Sequence, residues 1–253
     1  FNYAKKLKIK IFSTPFDETA VDFLEKLNCP FYKISSFEMN DIPLIKKVCQ
    51  TRKPIIISTG TASLKEINTT YNAAKKFGAK DITLLYCVSK YPSKIEDFHM
   101  NNIMIMKKKF KCRIGFSDHS TNNLVACSAV AAGAEIVEKH IALDNQKNGL
   151  DIEFSLKGKQ IKIFKNDIIN IYKMFTKKKF FRVDNENKFF KRSIYVIRDI
   201  KKGEKISKKN IRRIRPGNGL PPIYYDRIIG KETSINLKSG TPLTKNIFKK
   251  LKK

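Results

Sequence analysis

Residues 115–140 constrain this chain more than any other stretch. The short apolar runs Arg113–Phe116 and Ile136–Val137 each end in polar residues, giving G-F-S-D-H-S at the first and E-I-V-E-K-H at the second. Between them, Asn122–Gly133 is rich in alanine, opens on Asn and closes on Gly, which suits a crossover helix. The segment therefore reads as strand, helix, strand, with a histidine just past each strand. In a parallel barrel, neighbouring strand ends lie side by side at the C-terminal face, where chemistry collects. His119 and His140 could then meet across a gap that suits one metal ion. The alternative is two histidines unrelated in space. Against it, the chain has only 3 His, and two of them occupy matching places in consecutive units.

The same unit recurs upstream. Strands are expected at Ile9–Ser13, Phe31–Ile34, Pro54–Ile57 and Ile82–Val88, ending in S-T-P-F, S-S-F-E, S-T-G and S-K-Y-P. None alternates, as expected when both faces of a parallel sheet are buried. Helices are expected from Asp17, an N-cap candidate, to Leu27, and from about Ile42 to Cys49. Another starts near Ser63, with Glu66 three residues on, and stops at Gly78; a Met-rich helix covers Ile103–Phe110. An open parallel sheet would need a strand-order reversal and usually a glycine-rich phosphate turn, and no such turn occurs. The pattern predicts an α/β fold, a TIM (β/α)8 barrel lacking its first two βα units in this chain.

After His140 come a polar loop, Asp144–Ile152, and a helix from about Gln160 to Phe175. The predicted domains are a partial barrel at 1–178, a charged linker at 179–191 and a small β-rich module at 192–253. The last contains the stiff R-P-G-N-G-L-P-P loop, Arg215–Pro222, and the K-S-G-T-P-L turn.

The net charge is +29, from 52 Lys+Arg against 23 Asp+Glu. The lysines are scattered over helix faces and the C-terminus rather than gathered in a stripe, so no nucleic-acid partner is expected. Attraction for an anionic substrate fits the charge better. No apolar run is long enough to span a membrane. The five cysteines, Cys29, Cys49, Cys87, Cys112 and Cys127, show no paired spacing and suit reduced thiols in a cytoplasmic protein.

The strand ends form a hydroxyl-rich rim, with one lysine, Lys33, inside the second strand. Hydroxyls and a lysine around backbone N–H groups make a phosphate or carboxylate site. A lysine in a buried strand needs an anionic partner; Schiff-base formation is the other use.

Taken in order and spacing, I-F-S-T-P-F, F-Y-K-I-S-S-F-E, I-S-T-G, C-V-S-K-Y-P, G-F-S-D-H-S and E-K-H resemble the sialic acid synthase family, and R-P-G-N-G-L resembles its C-terminal SAF (antifreeze-like) domain. The resemblance covers essentially the whole chain. It implies a domain-swapped homodimer that condenses phosphoenolpyruvate (PEP) with an N-acetylated aldose, giving a nine-carbon nonulosonic acid and phosphate. It implies that His119 and His140 hold a divalent metal such as Mn²⁺, with Mg²⁺ or Co²⁺ as substitutes. Thr14, Lys33, Ser36, Ser58, Ser89, Tyr91 and Ser117 would line the PEP site, Ser89 standing where some members have Asn. Asp151 would meet sugar hydroxyls, Arg215 of a partner subunit would close over the N-acyl group, and Glu38 would orient or exchange protons with Lys33.

The family's E-x-x-x-N-H-x-G and K-x-Q motifs do not occur here. A proposed general base and part of the PEP site are therefore absent, and residues 1–253 are expected to be a fragment that folds loosely and does not turn over alone. A non-catalytic remnant acting as a binding or scaffold protein is the rival reading. S-S-F-E and F-S-L lean toward pseudaminic acid synthases, whereas C-V-S-K-Y-P and R-P-G-N-G also occur in N-acetylneuraminate synthases.

Overall fold

A computed structural model describes residues 1–176 and 186–252. The chain divides into two compact units, Phe1–Lys177 and Lys178–Lys253. Of the expected linker, residues 179–185 lie outside the described residues, and Glu186–Phe190 forms a 3-10 turn.

The first unit runs α1 (Asn2–Lys6), α2 (Glu18–Lys26), β1 (Tyr32–Ile34), α3 (Ile42–Gln50), β2 (Ile55–Ser58), α4 (Leu64–Lys76), β3 (Ile82–Cys87), α5 (Asn101–Lys109), β4 (Arg113–Asp118), α6 (Asn123–Ala131), β5 (Val137–Lys139), β6 (Ile141–Ala142), β7 (Leu156–Lys157) and α7 (Lys159–Thr176). Strands β1 to β5 pair in chain order, all parallel, as a half-barrel sheet. Helix starts follow local chemistry. Asp17 accepts from the Ala20 N–H at 2.8 Å, Asn122 accepts from Leu124 N–H at 2.9 Å, and Ser63 and Glu66 form both bonds of a capping box. Gly78 ends α4 with φ +92°, a conformation that costs a residue with a Cβ.

Two expectations need correction. Ile9–Ser13 is not a strand: only Ser13 bridges to Tyr32, and Ile9 and Ile11 are 61% and 40% exposed. Contrary to the expectation that no strand alternates, Lys8 and Lys10 alternate with Ile9 and Ile11, so this segment lacks the continuous apolar run that burial on both faces requires. Conversely, β6 and β7, on either side of the expected loop Asp144–Ile152, form a short parallel pair that the strand reading omits, because two residues each carry no periodic signal.

Register decides which side chains meet. Lys33 aligns with Ile56, Ser58 with Leu85, Cys87 with Ser117 and Ser117 with Glu138. Side chains alternate along a strand, so Lys33, Ser58, Cys87, Ser117 and Glu138 share the inner face. Ile34, Ile57, Leu84 and Phe116 take the other face and are fully buried in the core shared with the helices. Each such side chain contributes roughly 1.5–3 kcal/mol. Gly115 is required inside: a Cβ there would stand 2.5 Å from Leu85 Cδ2 and 2.7 Å from the Ile136 carbonyl oxygen.

The second unit pairs β8 (Ser193–Val196) with β9 (Ile211–Ile214), antiparallel, and after the short helix α8 (Tyr225–Ile228) pairs β10 (Glu232–Thr233) with β11 (Leu251–Lys252), on either side of α9 (Lys245–Phe248). Ile194, Val196, Ile200, Ile211 and Leu237 lie at its centre. Among the described residues no helix is long and apolar enough to cross a membrane, and the five cysteines are free thiols.

Candidate active site

A cleft of about 340 Å³ opens over the C-terminal ends of the parallel strands. Its lining includes Lys33, Ser58, Cys87, Ser117 and Glu138 from the inner face, and Thr14, Ser36, Tyr91, His119 and His140 from the segments that follow strands or the Ser13 bridge. In register, Ser58 lies two residues beyond the partner of Lys33 and Cys87 two beyond the partner of Ser58, whereas Cys87, Ser117 and Glu138 are level.

Anion-binding chemistry dominates one side. Ser36 Oγ accepts from the Gly60 N–H at 3.0 Å and lies 3.1 Å from Cys87 Sγ. Ser58 Oγ is buried without a hydrogen-bond partner, an arrangement that costs free energy unless a ligand supplies one. Lys33, only 7% exposed, sits 3.2 Å from Glu138 Oε1, which also accepts from Ser117 Oγ at 2.7 Å. Burial pushes the Cys87 thiol up, so it is a neutral wall rather than a nucleophile.

The other side carries the histidines. His119 Nδ1 is 2.9 Å from the Val88 carbonyl oxygen, which places the ring proton on Nδ1 and leaves the Nε2 lone pair free. Burial holds the His119 pKa below its usual value, favouring that neutral form. The His119 and His140 ring centroids are 5.4 Å apart, and Phe154 packs edge-on against both. His140 Nδ1 lies 3.8 Å from Asp151 Oδ2. A neutral, anchored imidazole facing a second one fits a divalent cation bound through two nitrogens. No group of three or more His, Cys, Asp or Glu converges among the described residues, so the remaining coordination positions would fall to water or substrate.

Ser89 is not among the residues that line this cleft; it lies beside the lining residues Ser36 and Cys87, around Gly60, where a Cβ would come within 2.4 Å of Ser89 Oγ. Asp151 reaches the cleft through His140. Glu38 does not meet Lys33: its carboxylate is held by Ser35 Oγ, one turn away, and the acid beside Lys33 is Glu138. Arg215 is exposed on the second unit, on a loop tied down where Ser193 Oγ donates to Pro216 O at 2.7 Å and accepts from Gly219 N–H at 2.9 Å.

Phe154 escaped the sequence reading as a site residue, and Glu138, one of the strand-end residues of the rim, has no role assigned in it. Glu138 lies inside E-K-H, but only the register opposite Ser117 shows that it faces inward. A second acid, Asp118, is fully buried and ion-paired with Lys139 at 3.0 Å, on the opposite face from the inner row.

Comparison with known proteins identifies the family. Residues 1–180 match the NeuB family and residues 191–248 match the SAF domain. The pseudaminic acid synthase of Helicobacter pylori is 38% identical over 252 residues, covering 96% of this chain and 73% of that protein. An N,N'-diacetyllegionaminic acid synthase of Campylobacter jejuni is 36% identical over 241 residues, covering 93% and 72%. Among solved structures, the N-acetylneuraminic acid (sialic acid) synthetase of Leptospira borgpetersenii superposes with a TM-score of 0.69 at 32% identity, covering 74% of this chain and 65% of that one. With its parallel half-barrel followed by a SAF domain, the chain belongs to the NeuB family of sialic acid synthase-like proteins.

Proposed function

We propose that the chain carries the catalytic face of a nonulosonic acid synthase, which condenses PEP with an N-acetylated aldose and releases phosphate. The observation that supports this most is the meeting of Lys33, Ser36, Ser58 and Ser117 with His119 and His140 in one cleft. Lys33 and the hydroxyls would hold the PEP phosphate and carboxylate and stabilise their charge as the reaction proceeds. The PEP methylene carbon forms a bond to the aldehyde carbon of the open-chain sugar, whose oxygen takes up a proton. Water adds to the former enol carbon and gives up a proton. The tetrahedral adduct then breaks its C–O bond to phosphate while its hydroxyl proton passes to the departing phosphate, leaving a ketone. His119 and His140 would hold a divalent metal such as Mn²⁺, which when bound supplies Lewis acidity to the sugar carbonyl. Asp151 would meet sugar hydroxyls, and Arg215, in a domain-swapped homodimer, the N-acyl carbonyl of the partner's substrate.

With the family's upstream segment restored, the chain should bind PEP, and Lys33→Ala should abolish that binding. Fused behind a relative's upstream segment carrying E-x-x-x-N-H-x-G and K-x-Q, it should release phosphate from PEP only when an N-acetylated aldose is present, with a nine-carbon keto acid visible by mass spectrometry. A folded fusion that does not bind PEP overturns the reading. So does a folded fusion that binds PEP but yields no phosphate with N-acetylmannosamine or a diacetamido-trideoxyhexose.

A further inference from the structure

The anion pocket contains an acid. Glu138 Oε1 holds both Lys33 Nζ, at 3.2 Å, and Ser117 Oγ, at 2.7 Å. These are two of the groups that the proposed function assigns to PEP, and the inference rests on that reading. Among the described residues no other carboxylate pairs with Lys33: Asp118 is taken by Lys139, and Glu38 by Ser35. Side-chain exposure is uneven, 9% for Lys33 and 36% for Glu138. The lysine is fixed in the strand wall, while the acid borders open space into which it can withdraw.

A buried ammonium with no counter-ion is costly, so Lys33 needs Glu138 while the pocket is empty. An arriving phosphate needs the same ammonium and the same hydroxyl. It cannot share them with a carboxylate a hydrogen bond away, because two anions at that separation repel strongly in a low-dielectric cleft. We propose that Glu138 is a resident counter-ion that occupies the anion subsite and is displaced by the incoming phosphate or carboxylate. It is a positioning residue that keeps Lys33 and Ser117 preorganised, and it weakens anion binding by the free energy of the exchange. At the same distance a dianion attracts the Lys33 ammonium about twice as strongly as a monoanion does. The pocket should therefore favour phosphate monoesters over simple carboxylates.

The test compares the fusion carrying the wild-type chain with its Glu138→Gln and Glu138→Asp variants, using inorganic phosphate, PEP and pyruvate as probes in calorimetry and thermal melts. Glutamine leaves Lys33 without a counter-ion, so the variant should melt lower in phosphate-free buffer and gain more from added phosphate than wild type. Its affinity for phosphate and PEP should rise by about tenfold or more, as expected when a competing charge is removed. Aspartate, a methylene shorter, should move affinity in the same direction by less, and it remains informative if the glutamine variant does not fold. In wild type, pyruvate should bind more weakly than phosphate. Unchanged or weaker phosphate and PEP binding in both variants would overturn the counter-ion role while leaving the synthase reading intact. Tighter anion binding together with a folded fusion that never releases phosphate from PEP would uphold the counter-ion role and overturn the synthase reading.

Discussion

His119 and His140 follow neighbouring parallel strands, and their ring centroids stand 5.4 Å apart with Phe154 against both. Strand pairing places the two residues, and the Val88 carbonyl fixes the orientation of the first ring. Each imidazole should be needed for metal. Titration with Mn²⁺ is expected to give one equivalent per chain, and His119→Ala or His140→Ala should weaken binding by well over about tenfold, since even outer-shell changes cost that much. Wild-type stoichiometry and affinity in both variants would remove the metal assignment.

Gly60 guards the corner between Ser36, Cys87 and Ser89. A Cβ there would lie 2.4 Å from Ser89 Oγ and 2.6 Å from Cys87 Sγ, both side-chain atoms with some freedom to shift. Gly60→Ala should therefore cost more in PEP affinity, by about tenfold, than in melting temperature. A variant that binds PEP normally would show that the corner is not part of the anion subsite.

Gly115 meets backbone instead. Its missing Cβ would sit 2.7 Å from the Ile136 carbonyl oxygen, which cannot rotate away. Gly115→Ala should push β5 off β4 and lower stability in chemical denaturation by about 1–3 kcal/mol, the usual cost of overpacking. It should also weaken metal binding, because His140 follows β5. A denaturation midpoint equal to wild type would mean that the strand pair is looser than its register implies.

Arg215 is held by a loop stiffened by Pro216 and by Ser193, which bonds to Pro216 and Gly219 just after it. A guanidinium presented this way suits a carbonyl or carboxylate. In the active fusion, Arg215→Ala is expected to raise KM for the sugar and leave PEP affinity unchanged. Mixed with His119→Ala subunits, it should recover part of the activity if sites are shared. Verified heterodimers without recovery would refute the swap.

Burial raises the thiol pKa of Cys49 and Cys112 to about 11, and moves Cys87 and Cys127 in the same direction. A thiol whose folded pKa is raised stabilises the fold below its unfolded value, and loses that contribution as pH rises through the folded pKa. For Cys49 and Cys112 the loss should run from about 9 to about 11. Native-state alkylation followed by peptide mapping should find these cysteines sluggish near about pH 8 and faster with each step upward. Rapid modification of Cys49 at neutral pH would contradict its burial.

The parts of this protein legible in its sequence are those decided by neighbours a few residues apart. Asp17, Asn122 and the Ser63–Glu66 pair cap helices through bonds to the following turn, and Gly78 ends one because only glycine adopts its backbone angle without cost. Continuous apolar runs marked the buried parallel strands, and the matched polar tails after β4 and β5 brought His119 and His140 into view. Tertiary structure decided what depends on register and on competition between distant groups. Ile9–Ser13 has strand composition but makes a single bridge, so its backbone gains too few ladder bonds to count as one. Glu38 and Glu138 are equally acidic in sequence, yet Ser35 captures the first while the alignment of Ser117 with Glu138 delivers the second to Lys33. A shift of one residue in that pairing would turn Glu138 to the helix side and leave Lys33 without its partner, because strand side chains alternate faces. Composition and spacing say nothing about that choice; it rests on the packing of Leu85 over Gly115, which holds β3, β4 and β5 in step.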